Sequence, residues 1–476
     1  MSSSAIAQTS LPAAGSSGRL RSLRELPGPR GLPLLGNALE LKPERSHLVL
    51  EAWGRQYGPL AVYHFGRQPV LLVSDPALAQ LVMRGRPQPF RRMSALDAAF
   101  REIIGRSLFT AEGDELTRQR KLWTRALSAQ NLHSFLPTLA RITERLRRRW
   151  LAHARAGNVV DVRRDCMCFA VDAISSLALE ADVNTLEGRD EAFQQNVARI
   201  FPRLTARLTT PRCYWRWFEA PAERALKAGL QQLRDHFAQA IAAARAMPAS
   251  TEGPTSFLRA LIELRDDDGR GASDDELIAN CVLMLVGGEE TTGFALAWAI
   301  HCLCEQPDLM DPLRAEADVA LAAERVPQTP AQAEGLELAG AVAFEVLRVR
   351  PPVPVHFLEA ACDTELGGVL VPRGTPVQLL ARPASEGREA LCFEPDRWLS
   401  GSAQPVDRAA QFPFGSGPRV CPGRALALLE MRLVIGMLAR NFDLSRAGAA
   451  SEVHRLIMAP QGLRVRLDER PAAGTG

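Results

Sequence analysis

Cys421 is the residue of this chain best placed to do chemistry. It lies near the end of the run Phe412-Pro413-Phe414-Gly415-Ser416-Gly417-Pro418-Arg419-Val420-Cys421-Pro422-Gly423-Arg424, which is dense in Gly and Pro and leads into a long apolar helical pattern from Ala425 to Leu438. Gly415, Gly417 and Gly423 allow close approach and unusual dihedrals around the sulfur. Pro422 suits a first helical turn, where its missing N–H is not needed. A sulfur at a helix start meets free backbone N–H groups and the positive end of the helix dipole, which favours thiolate over thiol. Such a thiolate is a metal ligand or a nucleophile, and the loop alone leaves both open.

Two other stretches carry groups that a core does not normally accept. Ser273-Asp274-Asp275-Glu276 has the form of a capping box, and no breaker follows until Pro307, so a helix is predicted over 274–306. At ~1.5 Å per residue it is roughly 50 Å long, enough to cross the molecule. It is apolar except at its middle, Gly287-Gly288-Glu289-Glu290-Thr291-Thr292-Gly293. Glycine there costs about 1 kcal/mol relative to Ala, and acids in a core cost more unless paired. A local conflict of this kind marks a functional site. On a further helix, predicted over 336–350 and ended by Pro351-Pro352, Glu345 and Arg348 share a face. Alone, that pair reads as a solvated ion pair of little worth.

The elements that must position these groups are mostly helical. Residues 62–74 read as a β-hairpin, with a helix starting at Ser74-Asp75-Pro76. Residues 86–112 read as a long, partly helical loop with several arginines, 114–156 as helix interrupted near Pro137, and 166–180 as a buried helix. An aromatic cluster at 213–218 is expected to fold its rings onto the core, with a lid over an apolar pocket or a membrane-touching surface as the alternatives. Residues 353–382 alternate like short strands, and Phe393-Glu394-Pro395-Asp396-Arg397-Trp398 leads into the cysteine loop. The expected fold class is mainly α with small β-sheets (α+β). One domain is expected over 26–470, between tails at 1–25 and 471–476 that read as disordered.

Composition removes several functions. The net charge of +3 on 476 residues gives no general affinity for nucleic acid. Nine cysteines without paired spacing argue against a zinc or disulfide framework and for a reducing compartment, the cytoplasm. No apolar run reaches the ~18 residues of a membrane span, so no transmembrane anchor is expected.

Taken together and in this order, from Pro27 to about Leu467, these sites resemble the cytochrome P-450 superfamily of haem-thiolate monooxygenases, in its soluble bacterial form. The pattern Phe-x-x-Gly-x-Arg-x-Cys-x-Gly is met by Phe414, Gly417, Arg419, Cys421 and Gly423. Ala/Gly-Gly-x-Asp/Glu-Thr is met by Gly287, Gly288, Glu290 and Thr291, Glu-x-x-Arg by Glu345 and Arg348, and Phe-x-Pro-x-Arg by Phe393, Pro395 and Arg397. The resemblance implies the P-450 fold and haem b with Cys421 as axial thiolate. It implies that Phe414, Gly415 and Gly423 shape the sulfur side, that Arg419 and Arg120 meet haem propionates, and that Glu345, Arg348 and Arg397 form a buried triad. Gly287 and Gly288 would let the long helix open beside the iron, with Thr291 and Glu290 delivering protons to bound dioxygen. The chain departs from the family at Leu116, where many members have Trp or His, and after Pro354, where an Arg is usual. His356 is the candidate substitute for that Arg.

The reaction implied is insertion of one atom of O2 into a lipophilic small-molecule substrate by a monomer. Electrons would come from a separate ferredoxin and its reductase, docking on Arg118, Arg120, Lys121, Arg125 and Arg424. A peroxide-using or rearranging haem-thiolate enzyme ranks below this, because Glu290-Thr291 is intact. A non-catalytic haem sensor ranks lower still.

Overall fold

A hairpin and short helices come first, and long helices follow, as the patterning requires. The computed structural model describes residues 19–189, 191–209, 215, 217, 220–247, 254–382, 391–402, 405–408 and 411–471. Helix α1 (Ser46–Tyr57) precedes the hairpin β1 (Leu60–Phe65) and β2 (Gln68–Val73); α2 (Pro76–Arg84), β3 (Phe90–Arg92) and α3 (Ser94–Ile104) come next. The helical series continues with α4 (Gly113–Ala126) and α5 (Ala129–Arg155), a short β4 (Val159–Asp161) and α6 (Val162–Leu179). It runs on through α7 (Glu191–Ala198), α8 (Ile200–Thr209), α9 (Pro221–Ala246), α10 (Phe257–Glu263) and α11 (Asp274–Glu305). After α12 (Met310–Leu321), α13 (Pro330–Glu334) and α14 (Glu337–Val349) come β5 (Val355–Ala360), β6 (Thr364–Leu366), β7 (Val369–Val371) and β8 (Pro376–Leu380). The last elements are α15 (Arg424–Asn441), β9 (Phe442–Arg446), β10 (Ser451–Arg455), β11 (Ile457–Gln461) and β12 (Arg464–Glu469).

The capping box predicted for α11 forms: the Ser273 side chain accepts from the Glu276 N–H and the Glu276 carboxylate accepts from the Ser273 N–H. Its neighbour α6 packs along it closely because glycine lets it. A Cβ on Gly288 would lie 2.8 Å from Ile174 Cδ1, and one on Gly293 would lie 3.1 Å from the Met167 Cα. A Cβ on Gly287 would meet nothing within 4 Å. The two glycines at the centre of α11 therefore do different things: Gly288 is a packing residue against α6, and Gly287 faces open space.

The sheet β1-β2-β8-β5-β3 is mixed, with only β2 and β8 parallel. Its strands alternate, as a period of two demands. Leu71 and Val73 join one apolar cluster with Leu358, Val377 and Leu379, while Val70 and Leu72 join another with Leu50, Trp53 and Val355. The sheet thereby places β5, and His356 with it, next to the segment after α2.

Three sequence expectations change. Residues 19–25, expected in a disordered tail, are ordered. The Arg21 N–H donates to the Gly368 carbonyl at 3.0 Å, the Arg21 carbonyl accepts from Leu370 at 2.9 Å, and Leu23 is buried. The stretch 86–112 contains a strand and a full helix, because Phe90, Ala99, Phe100 and Ile103 find apolar partners that local periodicity does not reveal. The helical interruption falls at Leu127-Ser128, where Ser128 caps α5, and not at Pro137, which lies inside α5. The proline's cost of about 3 kcal/mol is outweighed by burial of Phe135, Leu136, Leu139, Ile142, Leu146 and Trp150 along one helix. Most of the 213–218 aromatic cluster falls outside the described residues; Trp215 donates to Glu102 Oε2 at 2.8 Å, and Trp217 is 89% exposed.

The glycines of α11 give a direct test by chemical denaturation. Gly288→Val should lower stability by about 1–3 kcal/mol through overpacking against α6. Gly287→Ala should leave stability unchanged or raise it by up to ~1 kcal/mol, from helix propensity. Equal effects at the two positions would contradict the packing described.

Candidate active site

The cysteine loop is built by its own backbone. The Gly415 N–H donates to the Phe412 carbonyl and the Cys421 N–H to the Phe414 carbonyl, each at 2.8 Å. Gly417 has φ +68° and approaches α2 so closely that a Cβ would sit 2.8 Å from the Arg84 Cα. No other residue fits there. The loop ends at α15, where the backbone N–H groups of Gly423 and Arg424 lie beside the Cys421 sulfur and favour its anionic form. The Arg424 guanidinium lies 5.9 Å from the Phe414 and Phe344 ring centroids, bracing the loop on its apolar side.

The expected thiolate does not follow from the loop alone. Cys421 is exposed as a residue, while the protein crowded around its sulfur pushes the thiol up from its ordinary value. The two N–H groups and the nearby Arg120 charge oppose that shift without reversing it. Desolvation of the anion outweighs the helix start here. A metal cation at the sulfur would deprotonate it outright.

Four guanidinium groups gather beside this loop. Arg120 donates from Nη1 to the Val420 carbonyl at 2.5 Å. Arg419 donates to the carbonyls of Phe109 and Ala111 at 3.3 and 2.6 Å and pairs with Glu112 at 2.6 Å. Arg92 bonds the Phe109 carbonyl at 2.6 Å and Asp97 at 3.1 Å, with its guanidinium 3.6 Å from the Phe109 ring centroid. Arg86 donates to the carbonyls of Met83 at 3.0 Å and Ser416 at 2.9 Å. Arg86 and Arg92 are each pushed down to about 10, by burial first and then by the neighbouring arginines. His356 is held neutral, pushed down to about 3 by burial and then by Arg86, and its Nε2 is buried without a partner. A neutral His356 supplies no charge, so it does not replace an arginine electrostatically. Leu116 and Leu358, where the resemblance leads one to expect polar partners, are buried in separate apolar clusters.

On α11, Glu290 is pushed up to about 7 by burial, while Arg163 pulls it the other way. The Thr291 hydroxyl donates to the Gly287 carbonyl at 2.5 Å, one turn back. The helix is continuous through this point rather than opened, and the Thr291 oxygen remains free to accept a hydrogen bond. Glu289 is buried with both carboxyl oxygens unpartnered, and burial pushes it well above the usual carboxylate range. Glu430 on α15 is in the same condition and is pushed up to about 8.

Glu345, Arg348 and Arg397 meet. Arg348 grips Glu345 through two N–H groups at 2.9 and 2.7 Å, and Arg397 Nε lies 3.3 Å from the same carboxylate. The Trp398 indole and the Glu394 N–H also donate to it, at 2.8 and 2.9 Å. The carboxylate is fully buried and saturated, so this pair is no surface ion pair; losing one partner from such a set costs about 3–5 kcal/mol. The cationic docking set is corrected by the structure. Arg118 is paired with Glu276, Lys121 lies 2.5 Å from Asp267, and Arg125 lies 3.5 Å from Asp267. The acids at 266 and 267 neutralise that face.

Sequence reasoning assigned no role to Arg86, Arg92, Glu430 and Asn280. Asn280 Oδ1 accepts from the Leu108 N–H and the Trp123 indole, both at 3.0 Å, tying α11 to α4 and to the loop that carries Phe109. For Glu430 the signal was present, an acid in the apolar run of α15; for Arg86 and Arg92 there was none.

The family model for cytochrome P450 matches residues 26–461. The chain belongs to the cytochrome P450 family. Cytochrome P450 714C3 of Oryza sativa subsp. japonica is 27% identical over 458 residues, covering 88% of this chain and 86% of that protein. Cytochrome P450 monooxygenase sphH of Aspergillus fumigatus is 27% identical over 440 residues, covering 86% and 80%. Thromboxane-A synthase of Sus scrofa is 24% identical over 462 residues, covering 87% and 85%. The cytochrome P450DA heme domain shares the fold with a TM-score of 0.84 at 22% identity, covering 95% of this chain and 99% of that one. As a cytochrome P450 the protein is a monooxygenase that binds haem through a cysteine thiolate. The relatives named here are eukaryotic and lend no support to the bacterial-type expectation. No helix among the described residues is long and apolar enough to cross a membrane.

The residues present fit a haem: a cysteine sulfur beside backbone N–H groups, and buried guanidinium groups next to it able to pair with carboxylates. The unpartnered acid on α15 gives a stability test. Glu430 has a folded value of about 8 against an ordinary 4.5, so the folded state binds the extra proton between those limits. Its contribution is complete below pH 4.5 and is lost as pH rises through about 8. In Glu430→Gln that part of the pH slope in denaturant midpoint should disappear; an unchanged slope would contradict a protonated Glu430.

Proposed function

We propose that this cytochrome P450 inserts one oxygen atom from O2 into a C–H or C=C bond of a lipophilic small molecule, with haem b held by Cys421 and electrons delivered by a separate ferredoxin and its reductase. The observation that carries the reading is the Cys421 sulfur, set beside backbone N–H groups at the start of α15 and flanked by the arginine cluster. Bound haem supplies activation of dioxygen, and a thiolate ligand favours O–O cleavage over storage.

This chain's residues then have separable tasks. Arg120 and Arg419 neutralise haem carboxylates while fixing the loop through the Val420 carbonyl and the carbonyls at 109 and 111. Glu345, Arg348 and Arg397 hold the approach to the loop rigid. Glu290, balanced near 7, takes up and releases a proton at neutral pH, the condition an efficient acid–base group needs. Thr291, its proton directed to the Gly287 carbonyl, presents an acceptor oxygen at the open face of α11.

Turnover under 18O2 tests the reaction class. One 18O per product molecule is expected, and product oxygen drawn only from water, or turnover undiminished without O2, would overturn it. For the relay, proton delivery needs Glu290 protonated, so kcat should fall as pH rises through about 7. Glu290→Gln should abolish that break and lower kcat by about 10²-fold or more; a preserved break would remove Glu290 from the relay.

A further inference from the structure

We infer that Asn280, on the helix that carries Glu290 and Thr291, is a positioning residue for the cysteine loop, holding it through Leu108 on one side and Trp123 on the other. The inference rests on the haem-thiolate reading above and adds a residue that acts on that site only through others.

Asn280 lies about three turns before Thr291 on α11 and is 4% exposed. Its side chain makes every hydrogen bond open to an amide. Oδ1 accepts from the Leu108 N–H and the Trp123 indole, both at 3.0 Å, while Nδ2 donates to the Glu276 carbonyl at 2.9 Å and to Gln119 Oε1 at 3.3 Å. The orientation of the amide is decided by its partners: a backbone N–H and an indole only donate, and a backbone carbonyl only accepts. Gln119 is oriented in turn, because its Nε2 donates to Glu115 Oε1 at 3.2 Å. A buried network satisfied at every member specifies one geometry, and a partly satisfied one is costly.

From Oδ1 two arms run to the cysteine loop. The first passes through the Leu108 peptide into the segment whose carbonyls at Leu108, Phe109 and Ala111 accept from the Arg419 guanidinium at 3.4, 3.3 and 2.6 Å. The second passes through Trp123, whose ring packs on Phe257 with centroids 4.7 Å apart, to Arg120 one turn back on α4, which donates to the Val420 carbonyl at 2.5 Å. The arms end at Arg419 and Val420, the two residues before Cys421. One oxygen on α11 therefore sets both holds on the loop. Leu116 is buried among apolar side chains, so the polar ring of α4 is Trp123, and its N–H is spent on α11. Without Asn280 the Leu108 N–H and the Trp123 indole lose their shared acceptor, and α4 and the 105–112 segment are free to shift independently. Outer contacts of this kind set how a metal ligand is oriented.

The test uses the holoenzyme and the variants Asn280→Leu, Trp123→Phe and the two combined. Asn280→Leu keeps a branched side chain and removes both arms; Trp123→Phe removes the second alone. In Asn280→Leu, haem transfer to excess apomyoglobin should be about 10-fold faster, the lower end of the scale for losing an outer partner of a metal site, and the haem reduction potential should depart from the parent value. Trp123→Phe should move both quantities the same way by less. The double variant should match Asn280→Leu, because the arm that Trp123 serves is already gone. A lower denaturant midpoint with unchanged transfer rate and potential would overturn the inference, leaving Asn280 a structural residue alone. Additive effects in the double variant would also overturn it, since Trp123 would then act without Asn280. If Asn280→Leu does not fold, Trp123→Phe decides: parent-like transfer and potential there overturn the inference. A parent protein whose reduced carbon-monoxide complex lacks the thiolate Soret band would instead remove the haem-thiolate reading.

Discussion

Around Cys421 the protein alone is electrostatically incomplete, and the rest of the structure is arranged to hold it so. Burial raises the thiol, and burial together with mutual repulsion lowers Arg86 and Arg92. Both are the same penalty seen from opposite signs: charge held where water cannot solvate it. A cofactor with a cation at its centre and carboxylates at its edge relieves both at once. Haem is such a group, and membership of the cytochrome P450 family supplies it. The loop is therefore a mount whose electrostatics are balanced by its guest.

Keeping like charges together requires rigid scaffolding. The cluster draws on the segment from the end of α2 to β3, on α4 and on the cysteine loop, three regions far apart in sequence. Each guanidinium is pinned by at least one backbone carbonyl, and Arg92 and Arg419 are held in addition by Asp97 and Glu112. The Glu345 carboxylate, saturated by Arg348, Arg397, Trp398 and the Glu394 N–H, fixes the approach to the loop. Asn280 ties α11 to the 105–112 segment, whose carbonyls hold Arg92 and Arg419. On the α11 side the tolerance runs the other way. Glycine at 288 and 293 allows close packing on α6, while Glu289 and Glu290 stay in the helix as acids whose burial favours the neutral form.

Much of this was legible in the sequence, for physical reasons that differ by residue. The helix of α11, its capping box and its polar centre follow from periodicity and composition, which are local. The sulfur loop follows from glycines whose φ values or close contacts exclude other residues, as at Gly417. The partnership of Glu345 with Arg397 is not local, and only the family pattern suggested it. Arg86 and Arg92 were hidden because their role depends on which charges the fold brings near them. Gly288 was assigned to the cofactor from its place in a motif, whereas its environment is set by Ile174 on another helix. Pro137 misled because a local cost was read without the burial that offsets it. The helix start alone does not account for the thiolate: that effect is local, the desolvation opposing it is not, and a bound metal cation is what settles the charge on the sulfur.

The central claim is that Cys421 ligates haem iron as a thiolate. The most direct measurement is the reduced, carbon-monoxide difference spectrum of the parent protein and of Cys421→Ala. The red-shifted Soret band of a thiolate-ligated haem should appear in the parent and be absent from the variant. A parent protein without that band, or a variant that retains it, would contradict the account.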